Sequence, residues 1–356
     1  MSERYRVVIA GMGKRGMHHA AAFQADGRFE LAGICDIDAA RLNTAAARLG
    51  GPARSTDARE LALALRPDVF CFCTLPNLRT EMVRIAIESG ARLIAMEKPI
   101  ALTSAEGFAI RKLLDDSGVK AVVSHQHRYG AHYRKAMEAI SSGVLGHLHT
   151  VYGTATGWMT HMLSHLIDYM RWFNDEAPAA WVMAQAAGRG KLADAHPSPD
   201  YMAGFIQFAN GVRGVFECGA GAPDVPEVDY WWRKCRIGAQ GSEGFAEVLT
   251  GGGWRVVSKT ISCSGAGSMN YDLDMPPYIH QIANWLDDPR QVHPCNFASA
   301  WAGFEIVMAC CRSVAHGGQI ELPLNYSGDE LEMLRCTLPE REVLLSMAAN
   351  AREYAA

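Results

Sequence analysis

Arg6-Val7-Val8-Ile9-Ala10-Gly11-Met12-Gly13-Lys14-Arg15-Gly16 is the stretch on which the fold turns. An apolar run at 6–10 is suited to one buried strand, and the glycine pattern after it opens a helical segment over 18–25. G-x-G-x-x-G alone is a weak signal, but directly after a strand and before a helix it has the context its physics needs. The first glycine allows the tight turn and the second lets main chain approach a pyrophosphate. The third permits close helix–strand packing, with the helix N-terminus facing the phosphate charge. Met12, Lys14 and Arg15 fill out the loop, so 11–16 as a whole is expected to lie against a dinucleotide. Asp36 ends the second strand, twenty residues after Gly16. An acid there can accept from both adenosine ribose hydroxyls and repels a 2′-phosphate, so NAD is expected over NADP. Lys14 and Arg15 suit either cofactor.

Outward from the loop, short apolar runs alternate with amphipathic segments. Strands are predicted at 30–35, 69–74, 92–96 and 121–124, with helices at 39–49, 56–65, 79–89 and 104–117. Thr103 followed by Glu106 is a capping box for the last of these. Such alternation implies a parallel sheet with crossover helices, an α/β Rossmann domain over 1–124. Beyond it the texture changes. Helices are predicted at 133–141, 160–173, 279–287 and 298–315, a strand at 148–155, and strands rich in Val, Phe, Trp and Gly from 179 to 260. This gives 125–356 as an α+β domain built on one large, open, mainly antiparallel sheet.

Composition bounds the function. The 356 residues are 49% hydrophobic and 20% charged with a net charge of −4, which excludes disorder and fibrous architectures. No Lys/Arg-rich block is present, so a nucleic-acid partner is not expected. The ten cysteines are scattered through apolar segments without metal or disulfide spacing, which points to reduced thiols in a cytoplasm. The apolar run before Gly11 is only four residues long, too short for a signal-peptide core, and no stretch reads as a membrane span.

Two further segments narrow the fold to a family. Cys73-Thr74-Leu75-Pro76-Asn77 follows one predicted strand, and Met96-Glu97-Lys98-Pro99 ends the next. With the glycine loop they resemble the Gfo/Idh/MocA family, that of glucose–fructose oxidoreductase and inositol dehydrogenase. His165-Leu166-Ile167-Asp168 with Arg171-Trp172, and Gly317-Gly318 leading to Pro323, agree in order and spacing, so the likeness runs to about residue 325. The resemblance implies an NAD-dependent oxidoreductase acting on a sugar, cyclitol or glycoside, paired through its open sheet as a homodimer or homotetramer. It implies that Lys98 assists proton transfer and that Glu97 lies on the nicotinamide side. Pro99 after a cis peptide would aim Lys98 into the cleft. Thr74, Leu75, Pro76 and Asn77 fall among the cofactor contacts. Arg79 or Thr80 stands near the family's usual histidine, and Gln126 and Arg128 fall where the family places nicotinamide and substrate contacts. Chemistry agrees for Lys98: ligands of open α/β sheets bind at strand carboxyl ends, and an ammonium there can polarise or relay a proton from a reacting hydroxyl.

His161, His165, Asp168 and Trp172 share one face of the predicted helix, opposite Met162, Leu166, Tyr169 and Phe173. A histidine has a pKa suited to taking an alcohol proton, and the resemblance gives His165 that role as general base. The family usually carries an aspartate four residues earlier, where this chain has His161. Three readings stay open for His161: a substrate hydrogen-bonding partner, a metal ligand with His165 and Asp168, or part of a Thr160-His161 pair. That pair resembles the NAD-dependent glycosidases of the same fold, which oxidise a sugar hydroxyl transiently, eliminate the aglycone, add water and return the hydride. No metal is assigned. Trp158, Tyr278 and the run Tyr230-Trp231-Trp232 are candidates to stack on a sugar, while the pair His18-His19 is left without a site role.

Overall fold

The computed structural model describes residues 4–157, 159–229 and 233–340, and the side chains of Thr160, His161 and Gly190 lie outside that description. Two compact units result, and the chain visits the first one twice. It runs to Tyr129 and takes back Asn270–Ala300, while the second comprises Gly130–Met269 and the chain from Trp301 onward. The boundary expected near 124 thus falls five residues later, and 270–300 was not expected in the first unit.

The first unit is a six-stranded parallel sheet in the order β3-β2-β1-β4-β5-β6. Its strands are β1 (Tyr5–Ala10), β2 (Phe29–Cys35), β3 (Ala53–Ser55), β4 (Val69–Phe72), β5 (Leu93–Met96) and β6 (Lys120–Val123). The crossover helices are α1 (Lys14–Ala25), α2 (Ala39–Arg48), α3 (Ala58–Leu65), α4 (Arg79–Glu88) and α5 (Ser104–Ser117). Strands β4 and β5 are buried throughout, as central parallel strands covered on both faces must be. Their uninterrupted apolar runs made them legible. Asp38, Asp57 and Thr103 cap α2, α3 and α5 through the main-chain amides that a helix start leaves unpaired. Strand order reverses at β1 and β4, so their carboxyl ends diverge into the crevice where such sheets bind ligands.

Two elements escaped the sequence reading. Strand β3, Ala-Arg-Ser on the sheet edge, has no apolar periodicity to announce it. Helix α8 (Tyr271–Asp287) starts eight residues before the predicted 279 and holds Pro276 and Pro277 inside it. They leave two carbonyls without helical partners, but those belong to Asp272 and Leu273, which are exposed and can meet water. Met275, Tyr278, Ile279, Ile282 and Leu286 of α8 join Val7, Ile9, Phe23 and Leu93 in the first unit's core.

The second unit is a nine-stranded sheet ordered β14-β13-β12-β11-β7-β10-β9-β8-β15. These strands are β7 (Leu148–Ala155), β8 (Ala179–Ala187), β9 (Tyr201–Phe208), β10 (Arg213–Gly219) and β11 (Cys235–Gly241). The others are β12 (Gly244–Leu249), β13 (Trp254–Ser258), β14 (Ser262–Gly265) and β15 (Ile320–Glu321). All pairings are antiparallel except β7 with β10. Helices α6 (Ala131–Ser141), α7 (Met159–Phe173), α9 (Phe297–His316) and α10 (Glu330–Thr337) complete the described chain. Helix α7 packs on β7, β10 and β11, and two strand glycines set how closely. A Cβ at Gly153 would lie 3.2 Å from the Leu166 side chain, and one at Gly214 would lie 3.1 Å from that of Met170. The sequence reading found no membrane-length apolar stretch, yet α9 is 20 residues long and apolar enough by length and composition alone. It is largely buried inside the fold and carries Arg312 in an internal ion pair, as a core helix does.

Candidate active site

The glycine loop is built as its spacing requires. Gly11 adopts φ +91°, a conformation side chains resist, and a Cβ there would meet the Cys73 carbonyl oxygen at 2.8 Å. A Cβ at Gly16 would fall 1.9 Å from the Gly11 oxygen, so α1 can approach the loop only with glycine at that position. Gly13 differs: a Cβ there would meet nothing within 4 Å. Open space thus lies at the start of α1, whose N-terminus has no side-chain cap. The amides of its first turn and its positive dipole end are what a pyrophosphate needs. Asp36 steadies the loop, its Oδ2 accepting from the Met12 amide at 2.7 Å and its Oδ1 from the Asp38 amide at 2.9 Å. Arg41 also donates to Asp36, at 3.0 Å. Arg41 spans both oxygens, and its exposed side chain is the donor that ribose hydroxyls would replace. Beyond β4, the Thr74 hydroxyl oxygen is buried without a hydrogen-bond partner, Leu75 and Asn77 are exposed, and Pro76 is buried. Cradle, uncapped helix end and unsatisfied hydroxyl together fit a dinucleotide.

The carboxyl end of β5 carries the charge. Glu97 is buried, and its Oε1 accepts from Arg15 (Nη2 at 2.8 Å, Nε at 2.9 Å) and lies 3.0 Å from Nε2 of His19. Burial works to raise the Glu97 carboxyl, but Arg15, the His19 hydrogen bond and Lys98 outweigh it and hold it well below the usual range. Lys98 follows, half-buried, and the Lys98–Pro99 peptide is cis, as expected. Loss of solvent lowers its ammonium to about 8, with Glu97 opposing and Arg15 and Arg79 contributing. Arg15 also contacts the Ser124 hydroxyl at 3.3 Å and stacks over Tyr271 at 4.3 Å. Ser124 in turn donates to Gln126 at 3.0 Å, which places Gln126 in the same network. His127 lies 3.2 Å from Asp274, and burial keeps its pKa low despite that carboxylate.

Three expectations change here. Tyr278 cannot stack on a sugar: it is fully buried in the first unit's core, edge-on to Tyr129 and His293. Its place on the inward stripe of α8 was hidden while that helix was read as starting at 279. Arg128 is buried as well, 3.4 Å from the Ser299 hydroxyl. Arg79 is not an exposed cofactor contact. It is 2% exposed, and its Nε and Nη2 point at the carbonyl oxygens of Pro99 (3.3 Å) and Lys98 (3.4 Å).

Two contributors were missed. His19 lies three residues after Gly16, on the face of α1 that packs inward, and that spacing could have placed it. Cys73 was read only as part of a motif. His19, Cys73 and Glu97 bring donor atoms within 4.8 Å of one another, the one such group among the described residues. Arg15 already supplies the counter-charge a metal would give Glu97, so the cluster reads as an ion-pair network. The hydrogen bond from Cys71 lowers the Cys73 thiol, against burial.

In the second unit, α7 presents His165, 9% exposed, with Nδ1 3.1 Å from the Tyr169 hydroxyl and the two rings stacked 5.7 Å apart. This contact orients the imidazole. Tyr169 packs on Tyr133, whose hydroxyl meets that of Thr250 at 2.6 Å. The expected polar stripe is more enclosed than its spacing suggested, because Asp168 is buried too. His161 holds the expected place, one turn before His165, but its side chain, like Trp158 and Tyr230-Trp231-Trp232, lies outside the described residues.

Comparison with known proteins agrees with this geometry. The oxidoreductase family with an NAD-binding Rossmann fold matches residues 5–125, and the GFO/IDH/MocA C-terminal domain matches 152–247, together well over half of the chain. Inositol 2-dehydrogenase of Rhizobium meliloti (strain 1021) is 24% identical over 341 residues, covering 89% of this chain and 99% of that protein. D-glucoside 3-dehydrogenase of Escherichia coli K12 is 26% identical over 149 residues, 42% of either chain, so that match spans less than half of each. Among solved structures, levoglucosan dehydrogenase in complex with NADH and levoglucosan superposes with a TM-score of 0.76 at 18% identity, over 90% of this chain and all of that one (100%). Glycine cradle, Glu97-Lys98-Pro99 turn and both matched domains lead to one conclusion: the chain belongs to the Gfo/Idh/MocA family of NAD-binding oxidoreductases.

Proposed function

We propose that the protein oxidises a secondary hydroxyl of a sugar, cyclitol or glycoside. NAD, when bound, supplies the hydride acceptor at nicotinamide C4. The carbinol hydrogen leaves as hydride, the hydroxyl proton goes to a base, and the product is a ketone. Lys98 assists proton transfer from the reacting hydroxyl, His165 is the general base, and His161 positions the substrate. Glu97 balances the cations around Lys98. One observation carries the reading: an ammonium eased to about 8 at the carboxyl end of a switch-point sheet, beside a buried carboxylate. A group poised near working pH is what proton transfer requires.

Thr160-His161 at the start of α7 supports a second reading, a redox-neutral glycoside hydrolase using the same residues. The two separate in one experiment on protein purified without added cofactor. Denatured protein is assayed for NAD(H), and the native sample is screened on nitrophenyl glycosides and on free sugars and polyols. NADH formed only when NAD and a free sugar or polyol are supplied supports the dehydrogenase. Stoichiometric bound nucleotide with aglycone release and no net NADH supports the hydrolase. We place the protein in a reducing compartment, the cytoplasm, because its ten cysteines are scattered through apolar segments without disulfide spacing. A second copy of the chain is the partner we assign to the second unit's sheet, where Met183, Val215 and Val257 are exposed.

A further inference from the structure

Arg79 is a costly residue for its position. It opens α4 directly after the Pro76–Leu78 turn, yet it is buried rather than projecting into solvent. Its guanidinium lies over the Phe72 ring, 5.5 Å from the centroid, and reaches the two successive carbonyls of Lys98 and Pro99. Its third nitrogen, Nη1, is buried without a hydrogen-bond partner. Burying a guanidinium on two long contacts to neutral oxygens is poor design for stability alone, because an under-satisfied buried charge opposes folding. Burial lowers even its own pKa, to about 10.

We infer that Arg79 is a positioning residue for Lys98, gripping the main chain on both sides of the Lys98–Pro99 bond and fixing a positive charge near the lysine. The inference rests on the role proposed for Lys98. The grip sets where the lysine side chain leaves the turn. The charge disfavours the ammonium and so keeps its proton easy to release, in the direction that Lys98 shows. Other groups act on Lys98 as well: Glu97 beside it, Arg15 from α1, and His127, itself paired with Asp274 of α8. Glu97 favours the ammonium while burial and the two arginines oppose it, so removing an arginine shifts the balance towards a lysine that holds its proton.

The test reads Lys98 directly and does not depend on turnover. The full-length protein is reductively methylated with 13C-formaldehyde, and the Lys98 signal, identified by its loss in Lys98→Arg, is titrated by NMR. Arg79→Met should move the midpoint upward by about 0.5 pH unit or more, since a nearby like charge has been removed. Arg79→Lys keeps the charge but not the two-pronged reach, so it should hold the midpoint within about 0.3 unit and lower kcat about tenfold. Should Arg79→Met fail to fold, Arg79→Gln, uncharged but still able to donate to the turn, carries the same expectation. An unmoved midpoint in the uncharged variant overturns the inference, as does wild-type kcat in Arg79→Lys. Failure of the underlying reading is seen elsewhere, as full turnover in Lys98→Ala.

Discussion

Arg312 and Glu330 of the second unit are fully buried, joined at 2.8 Å through both Nε and Nη2. The guanidinium also donates to the Tyr326 carbonyl at 2.8 Å and lies 4.1 Å over that ring. Glu97 of the first unit is also a buried carboxylate, but Arg15, His19 and Lys98 all act on it, with Arg79 close by. One site balances a cation against an anion and ties α9 to α10. The other gathers more cations than its carboxylate can neutralise. Balanced charge is inert, whereas unbalanced charge leaves a proton equilibrium open to adjustment: burial does most to lower the Lys98 ammonium to about 8, and the surplus arginines add to it against Glu97.

Four experiments would break or sharpen that contrast. Lys98→Ala carries the largest effect: kcat should fall about 10³-fold or more, as for a lost proton-transfer group, with little change in NAD affinity by titration. Wild-type turnover there would remove the functional half of the comparison. In the balanced pair, Glu330→Gln should destabilise by about 3–5 kcal/mol in chemical denaturation, because it strands a buried guanidinium. Replacing both partners (Arg312→Met with Glu330→Leu) should recover most of that loss. A double variant as unstable as the single one would show that the pair contributes more than local neutrality.

The third is a pH profile. Lys98 loses its proton on passing upward through about 8, so kcat/KM should show an inflection there. In Glu97→Gln the anion favouring the ammonium is gone, and the inflection should move to lower pH, opposite to its movement in Arg79→Met. An upward movement would mean that Glu97 does not set the local balance. The smallest effect is expected in the glycine loop. Gly13→Ala meets no atom within 4 Å and should change Tm by no more than about 2 °C, while NAD binding weakens about tenfold where its methyl meets the pyrophosphate. Unchanged affinity would place the phosphates elsewhere.

Most of the parallel sheet was legible because its strands are uninterrupted apolar runs, and the glycine loop because each glycine answers a steric demand. Glu97 and Lys98 were found through their motif at a strand end. The reading failed wherever local sequence and tertiary use diverge. The start of α8, with Pro276 and Pro277 inside the helix, was missed, and with it the burial of Tyr278. Strand β3 has no pattern because an edge strand needs none. Arg79 was placed among the cofactor contacts by its position near the family's usual histidine, and nothing local reports the Lys98–Pro99 turn that it reaches.

Sequence alone determined the Rossmann topology and the glycine loop and singled out Lys98 and His165 as candidates, since periodicity, glycine sterics and short motifs are local properties. Tertiary structure decided the electrostatics. Which cations surround Glu97, which hydroxyl engages His165 and which aromatic rings are sealed in a core depend on side chains that meet from distant segments. A pKa follows from that meeting, because charge and burial act through space rather than along the chain.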